Sequence, residues 1–121
     1  MLGSLAAAYA QSPRRVGPLG GPALYGVSGV PGDGPYVEVW ALVEGGVVVR
    51  AAHRTPGCPS STAAAEALCA LAEGREAARV ASLTAADLQA VLGGLPDGKG
   101  HWAGMAVEAM RTALQAARGE E

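Results

Sequence analysis

The chain is 121 residues long, 50% hydrophobic and 17% charged, with a formal net charge of −2. Two Trp, three Tyr and no Phe stand against 26 Ala and 18 Gly, so a core has to come from Val, Leu and close backbone approach. The charge balance excludes an electrostatic nucleic-acid binder, the hydrophobic fraction excludes an acidic disordered tail, and no apolar run nears the roughly 20 residues that span a bilayer.

Leu2, Leu5, Ala6 and Tyr9 fall at helical spacing and predict a short amphipathic helix over residues 1–10. Ser12-Pro13 ends it, because the residue before proline is driven out of the α region. Ala8-Tyr9-Ala10 has neither the basic flank nor the long apolar stretch of a signal peptide, so no leader is read. Residues 17–22, with three Gly and two Pro, read as loop.

A first strand is expected over residues 24–30, followed by the turn Val30-Pro31-Gly32-Asp33-Gly34-Pro35. Residues 36–43 alternate, with Val37, Val39, Ala41 and Val43 on one face. Glu44-Gly45-Gly46 supplies a hairpin turn, and residues 47–54 return with Val47, Val49 and Ala51 inward. His53 shares that inward register. After Thr55-Pro56-Gly57-Cys58-Pro59 the period becomes helical: Ser60, Ser61 or Thr62 is the expected cap, Ala65, Leu68, Cys69 and Ala72 the buried stripe, and Gly74 the stop. Thr84 and Asp87 resemble a capping box that opens a helix ending at Gly93-Gly94. A loop over residues 95–100 leads to a last helix with the stripe Trp102, Met105, Ala106, Ala109, Met110, Ala113, Leu114 and Ala117. Strands first and helices after predict an α+β fold, a three-stranded antiparallel sheet with helices packed on one face, in one domain over residues 1–121.

Three residues carry chemistry. Cys58 stands at the junction of a strand and a helix, where unpaired backbone N–H groups favour a thiolate. Cys69, on an apolar stripe, reads as core. The two lie eleven residues apart along one helix, about 16 Å, too far for a disulfide. Two unpaired thiols fit a reducing, cytoplasmic compartment. His101 opens the last helix, where the dipole keeps an imidazole neutral and able to take a metal. Asp33 sits in the Pro-Gly-Asp-Gly turn. The glycines form no phosphate loop, since they lead from strand to turn to strand.

From about Ser12 to Leu114 the order of landmarks resembles the IscU/NifU N-terminal family of iron–sulfur cluster assembly scaffolds. Ser12-Pro13-Arg14-Arg15-Val16-Gly17 resembles the family's Asn-Pro-Arg-Asn-x-Gly segment, and Pro31-Gly32-Asp33 falls where the family has Cys-Gly-Asp. Thr55-Pro56-Gly57-Cys58-Pro59-Ser60 resembles Thr-x-Gly-Cys-x-Ser. Leu95-Pro96-Asp97-Gly98-Lys99-Gly100-His101-Trp102 aligns without gaps on Leu-Pro-Pro-Val-Lys-x-His-Cys.

The resemblance implies a non-enzymatic scaffold that receives iron and sulfide, builds a [2Fe–2S] cluster or holds zinc, and hands its cargo on. It implies a cysteine desulfurase and cluster-accepting proteins as partners, and metal ligation by Asp33, Cys58 and His101. Pro31 and Trp102 occupy the other two cysteine positions of the family. One thiolate, one imidazole and one carboxylate suit a single iron or zinc ion with an open position better than a cluster. Leu95, Pro96 and Lys99 match the family's chaperone-docking segment, while Asp97-Gly98 replaces its Pro-Val and speaks against the chaperone ATPase as a partner. The alternative is a metal-free paralogue acting as an interaction module.

Overall fold

The chain forms α1 (Ser4–Gln11), β1 (Leu24–Gly29), β2 (Tyr36–Glu44), β3 (Val47–Arg54), α2 (Pro59–Ala72), α3 (Ala77–Ala81), α4 (Ala85–Leu92) and α5 (His101–Gly119). The structure is a computed structural model and describes residues 2–119, with side chains to residue 116. Met1 of the expected first helix and the Ala117 side chain of the last stripe lie outside the described residues.

The sheet has the order β1-β2-β3, antiparallel throughout. Its two-residue β2–β3 turn is Gly45-Gly46, both at positive φ (58° and 77°), the geometry that matches the twist of the flanking strands. On one face Val37, Val39 and Ala41 are fully buried beneath α5, which crosses β1 and β2, and α2, which covers β3. This is the expected α+β layering. Closeness replaces bulk: Gly26 of β1 faces the α5 backbone, and a Cβ there would lie 2.0 Å from the Ala109 carbonyl oxygen. On the other face Tyr25, Glu38, Trp40 and Arg54 interlock. The Tyr25 hydroxyl and Arg54 Nε donate to Glu38 at 2.6 and 2.7 Å, and the Arg54 guanidinium lies 5.4 Å from the Trp40 ring centroid. Trp40 is thereby reduced to 9% exposure.

Three expectations are corrected, and one short helix is added. Val49, expected inward, is 37% exposed, and Val48 is fully buried instead. A register shift at Leu42/Val43 pairs Leu42 with Arg50 and Val43 with Val48. The bulge reverses the alternation from that point to the hairpin. Leu5, expected on the buried stripe of α1, is 56% exposed, and Ala6 is the buried residue. The cap of α2 is Cys58 rather than Ser60, Ser61 or Thr62, with no side-chain bond to a backbone amide of the first turn and Pro59 at its first position, where a missing N–H costs nothing. The span between Gly74 and Thr84 contains α3, too short to leave a periodic signal.

The segment around residues 14–17 is less loose than a Pro- and Gly-flanked stretch suggests. His53 N donates to the Arg15 carbonyl at 2.8 Å and Gly17 N to the His53 carbonyl at 2.9 Å, so Val16 makes a parallel bridge to the edge of β3.

Candidate metal site at the mouth of α2

Cys58 is half-buried where β3 gives way to α2. Gly57, at φ 96°, turns the chain, a conformation open to glycine and strained for other residues. The Gly57 amide donates to Thr55 Oγ1 at 3.1 Å. Cys58 itself is extended (φ −69°, ψ 153°), and its carbonyl accepts the first helical bond from the Thr62 amide at 3.0 Å. The buried Ser61 hydroxyl accepts from the Cys58 thiol at 3.1 Å and lies 2.9 Å from the Cys58 carbonyl oxygen and 3.0 Å from Thr55 Oγ1. This network fixes the thiol at the rim of an open cleft of about 260 Å³ lined by Leu2, Cys58, Pro59, Ser60, Pro96 and Lys99.

The loop before α5 thus reaches Cys58 through Pro96 and Lys99. Its own shape is set by Leu95, whose amide donates to Gln89 Oε1 at 2.9 Å, and by a turn in which the Lys99 amide donates to the Pro96 carbonyl at 2.9 Å. His101, the first residue of α5, is exposed, with its ring centroid 4.7 Å from that of Trp102. Asp33 is exposed in a turn closed by its own amide on the Val30 carbonyl at 2.9 Å. Among the described residues, no group of three or more His, Cys, Asp and Glu side chains stands where it could hold a metal ion. Cys58 shares its cleft with Pro96 and Lys99; Asp33 and His101 do not line it.

Trp102 explains part of this. Its ring is 5% exposed and belongs to the hydrophobic core, with Nε1 buried and lacking a hydrogen-bond partner. An orphaned buried donor costs about 1–3 kcal/mol, which the packed ring offsets. A side chain that fills volume stands at a position where the resemblance implies a cysteine. Pro31, at the other such position, is exposed and has no ligand atom. The donor set therefore does not fit a [2Fe–2S] cluster, normally held by four side chains. Its residue types fit one iron or zinc ion with an open position.

Among the described residues, the most extensive polar cluster is one that sequence reasoning missed. Glu66 Oε1 accepts from the Arg14 and Arg15 amides, both at 3.1 Å, and pairs with His53 Nε2 at 2.9 Å, while Oε2 takes Arg15 Nη1 at 2.7 Å. Glu73 takes Arg15 Nε at 2.7 Å and the Ala51 amide at 3.1 Å. A legible signal existed: α2 holds Glu66 and, one residue past its end, Glu73, seven apart beside the apolar stripe, with no basic residue on the helix. Carboxylates so placed need a cation from elsewhere.

A three-stranded antiparallel sheet covered by helices, with a half-buried thiol opening one of them, is the layout that the resemblance to the scaffold domains of iron–sulfur cluster assembly implied. The model of the NifU-like N terminal domain matches residues 6–121, and the chain belongs to this family. The bifunctional protein NifU/MnmA of Rubrobacter xylanophilus is 37% identical over 106 residues, 86% of this chain and 22% of the relative. The chain thus spans about a fifth of that relative's length. The crystal structure of a NifU-like N-terminal protein from Brucella abortus superposes with a TM-score of 0.58 at 20% identity, covering 95% of this chain and 78% of that one. A second crystal structure, of a hypothetical protein, gives 0.56 at 19% identity over 96% and 93%. At these identities the two structures establish the fold. No described helix is long and apolar enough to cross a membrane.

Proposed function

We propose that the chain acts in iron–sulfur cluster assembly as a single scaffold-type domain in a reducing, cytoplasmic compartment. It takes an iron or zinc ion, or sulfur on its way to a cluster, at Cys58 and passes it to partner proteins. The observation that carries this reading is the Cys58 thiol itself, positioned by Ser61 at the rim of a cleft it shares with Lys99. Cys58 serves as thiolate ligand or persulfide acceptor, His101 as imidazole ligand and Asp33 as an exchangeable oxygen ligand. Ligation by all three requires the Asp33 turn and the first turn of α5 to close on Cys58, because among the described residues the three side chains form no metal-holding group. The chain is not an enzyme in this reading: a cysteine desulfurase supplies the sulfur, as sulfide for the metal or by transfer of the outer sulfur of its own persulfide to the Cys58 thiolate with release of the desulfurase thiolate, and Leu95, Pro96 and Lys99 offer a docking edge beside the thiol.

The test is anaerobic addition of iron, sulfide and a desulfurase, read by visible charge-transfer absorption, with zinc titration of the protein and of Cys58→Ala alongside. The reading expects metal uptake that Cys58→Ala weakens at least about tenfold. A colourless protein that ignores both metals removes it. The second reading, a metal-free interaction module that kept the fold, is favoured by the burial of Trp102 at a family ligand position, and that null result would support it.

A further inference from the structure

A second concavity lies at the opposite end of α2. Leu71, Arg75, Arg79, Ser82 and Leu83 line an open groove of about 540 Å³ between the last turn of α2, α3 and the link that leads from α3 to α4. With 1.5 Å of rise per residue, it is about 20 Å from Cys58, so it belongs to no part of the site above. Leu71 and Leu83 are half-buried and give it an apolar floor, while Arg75 and Arg79 stand exposed along its rim.

The rim is built rather than incidental. Arg75 Nε donates to the Leu71 carbonyl at 2.6 Å, which orients the guanidinium and leaves both terminal nitrogens for an outside acceptor. Its backbone is tied on both sides: the amide donates to the Ala72 carbonyl at 3.1 Å, and the carbonyl accepts the Val48 amide at 2.9 Å. Gly74 N to Val48 O at 2.7 Å and Ala77 N to Gly46 O at 2.8 Å fasten the same stretch to the β2–β3 hairpin. On the far wall, Arg111 Nη2 holds the Leu83 carbonyl at 3.0 Å. Among the described residues the ion pairs involve Arg15, His53 and Arg54, and neither Arg75 nor Arg79 is in one. A fixed cation loses little conformational entropy when a partner arrives. In a chain of net charge −2, two unpaired arginines over a leucine floor select a partner by charge.

We propose that this groove docks an acidic segment of a partner protein, with carboxylates on Arg75 and Arg79 and an apolar side chain between Leu71 and Leu83. The inference is independent of metal binding at Cys58, and a protein that takes no metal still has it.

The test is fluorescence anisotropy of the full chain with a short labelled peptide of alternating Glu and Leu, a Lys-for-Glu counterpart, and a labelled single-stranded oligonucleotide. Saturable binding of the acidic peptide alone is expected, weakened by salt and lost by at least about tenfold in Arg75→Glu/Arg79→Glu. Both arginines are exposed, so that variant should still melt cooperatively and close to the parent, lower by the loss of the Arg75 bond to the Leu71 carbonyl; Arg75→Gln/Arg79→Gln, without the added anions, serves the same purpose if it does not. Equal affinity of the acidic peptide for parent and variant, absence of saturation, or tighter binding of the oligonucleotide than of the peptide overturns the proposal.

Discussion

Arg15 holds both carboxylate oxygens of Glu66: Nη1 lies 2.7 Å from Oε2, and the Arg15 amide donates to Oε1 at 3.1 Å. Through this pair α2 grips a segment that also extends the edge of β3, so one carboxylate joins three parts of the fold. Glu66→Ala leaves the buried His53 and the Arg14 and Arg15 amides without their acceptor, with Arg15 held by Glu73 alone, and is expected to cost about 3–5 kcal/mol, read by urea unfolding. Arg15→Ala should cost less, because Arg15 is partly solvated, while speeding hydrogen exchange at the Gly17 and His53 amides. A Glu66→Ala protein as stable as the parent would show that the cluster contributes nothing net.

Acid should loosen the same cluster in two stages. Burial pushes the His53 imidazole below its ordinary 6.5, against the opposing pull of Glu66. Neutral His53 donates through Nε2 to Glu66 and leaves Nδ1 unprotonated and without a partner; a proton there would be a buried donor with no acceptor. Below pH 6.5 the unfolded chain therefore binds a proton that the folded chain refuses, and stability falls as pH drops. Burial pushes Glu66 up, but the bonds from His53 and Arg15 outweigh it and hold the carboxyl below its ordinary 4.5. Its contribution is complete above 4.5 and is lost as pH falls further. The melting temperature is expected to be level between about pH 7 and 8, to decline below 6.5 and to fall more steeply below 4.5. A His53→Gln protein should lose the first decline and keep the second.

The layering was legible because apolar alternation in β2 and the Thr84/Asp87 capping box are local codes. Both capping bonds form as read, at 2.9 and 3.1 Å. What escaped depends on distant partners. The bulge that buries Val48 is fixed by pairing across the hairpin, and nothing in Val47-Val48-Val49 distinguishes one valine from the next. Nothing local to Arg15 announces its role, which Glu66 and Glu73, more than fifty residues away, create. At the candidate site the residue types were readable, but the distances among Asp33, Cys58 and His101 depend on how two loops sit, and Trp102 packs between a legible helix and the core.

Gly26 and Gly104 make opposite predictions for one substitution. A Cβ at Gly26 would meet the Ala109 carbonyl at 2.0 Å and the Ala113 amide nitrogen at 2.5 Å, both backbone of α5. The helix has to move off the sheet, so Gly26→Ala is expected to destabilise by about 1–3 kcal/mol or more. Gly104, inside α5, has nothing within 4 Å of its added Cβ. There Ala adds helix propensity, and Gly104→Ala should stabilise by about 0.5–1 kcal/mol. Denaturant midpoints of the two variants read the difference in sign; a neutral Gly26→Ala would mean that α5 does not approach β1 as closely as described.

The two thiols should separate in reactivity. Cys58 is half-buried at a cleft, whereas Cys69 is fully buried, and burial, with the nearby Glu66 and Glu73 carboxylates, pushes its thiol well above the ordinary range. A disulfide reagent attacks the thiolate of an accessible cysteine. The native protein is therefore expected to release one equivalent of reporter per chain and a second only in denaturant. Cys58→Ser should abolish the native reaction, and Cys69→Ala should leave it intact at some cost in stability from the lost core volume. Zinc tests the proposed site in the same assay: ligation at Cys58 withdraws the reacting thiolate, so zinc should slow the native reaction of the parent protein in proportion to occupancy. An unchanged rate at saturating zinc would leave Cys58 an accessible thiol and remove the metal from it.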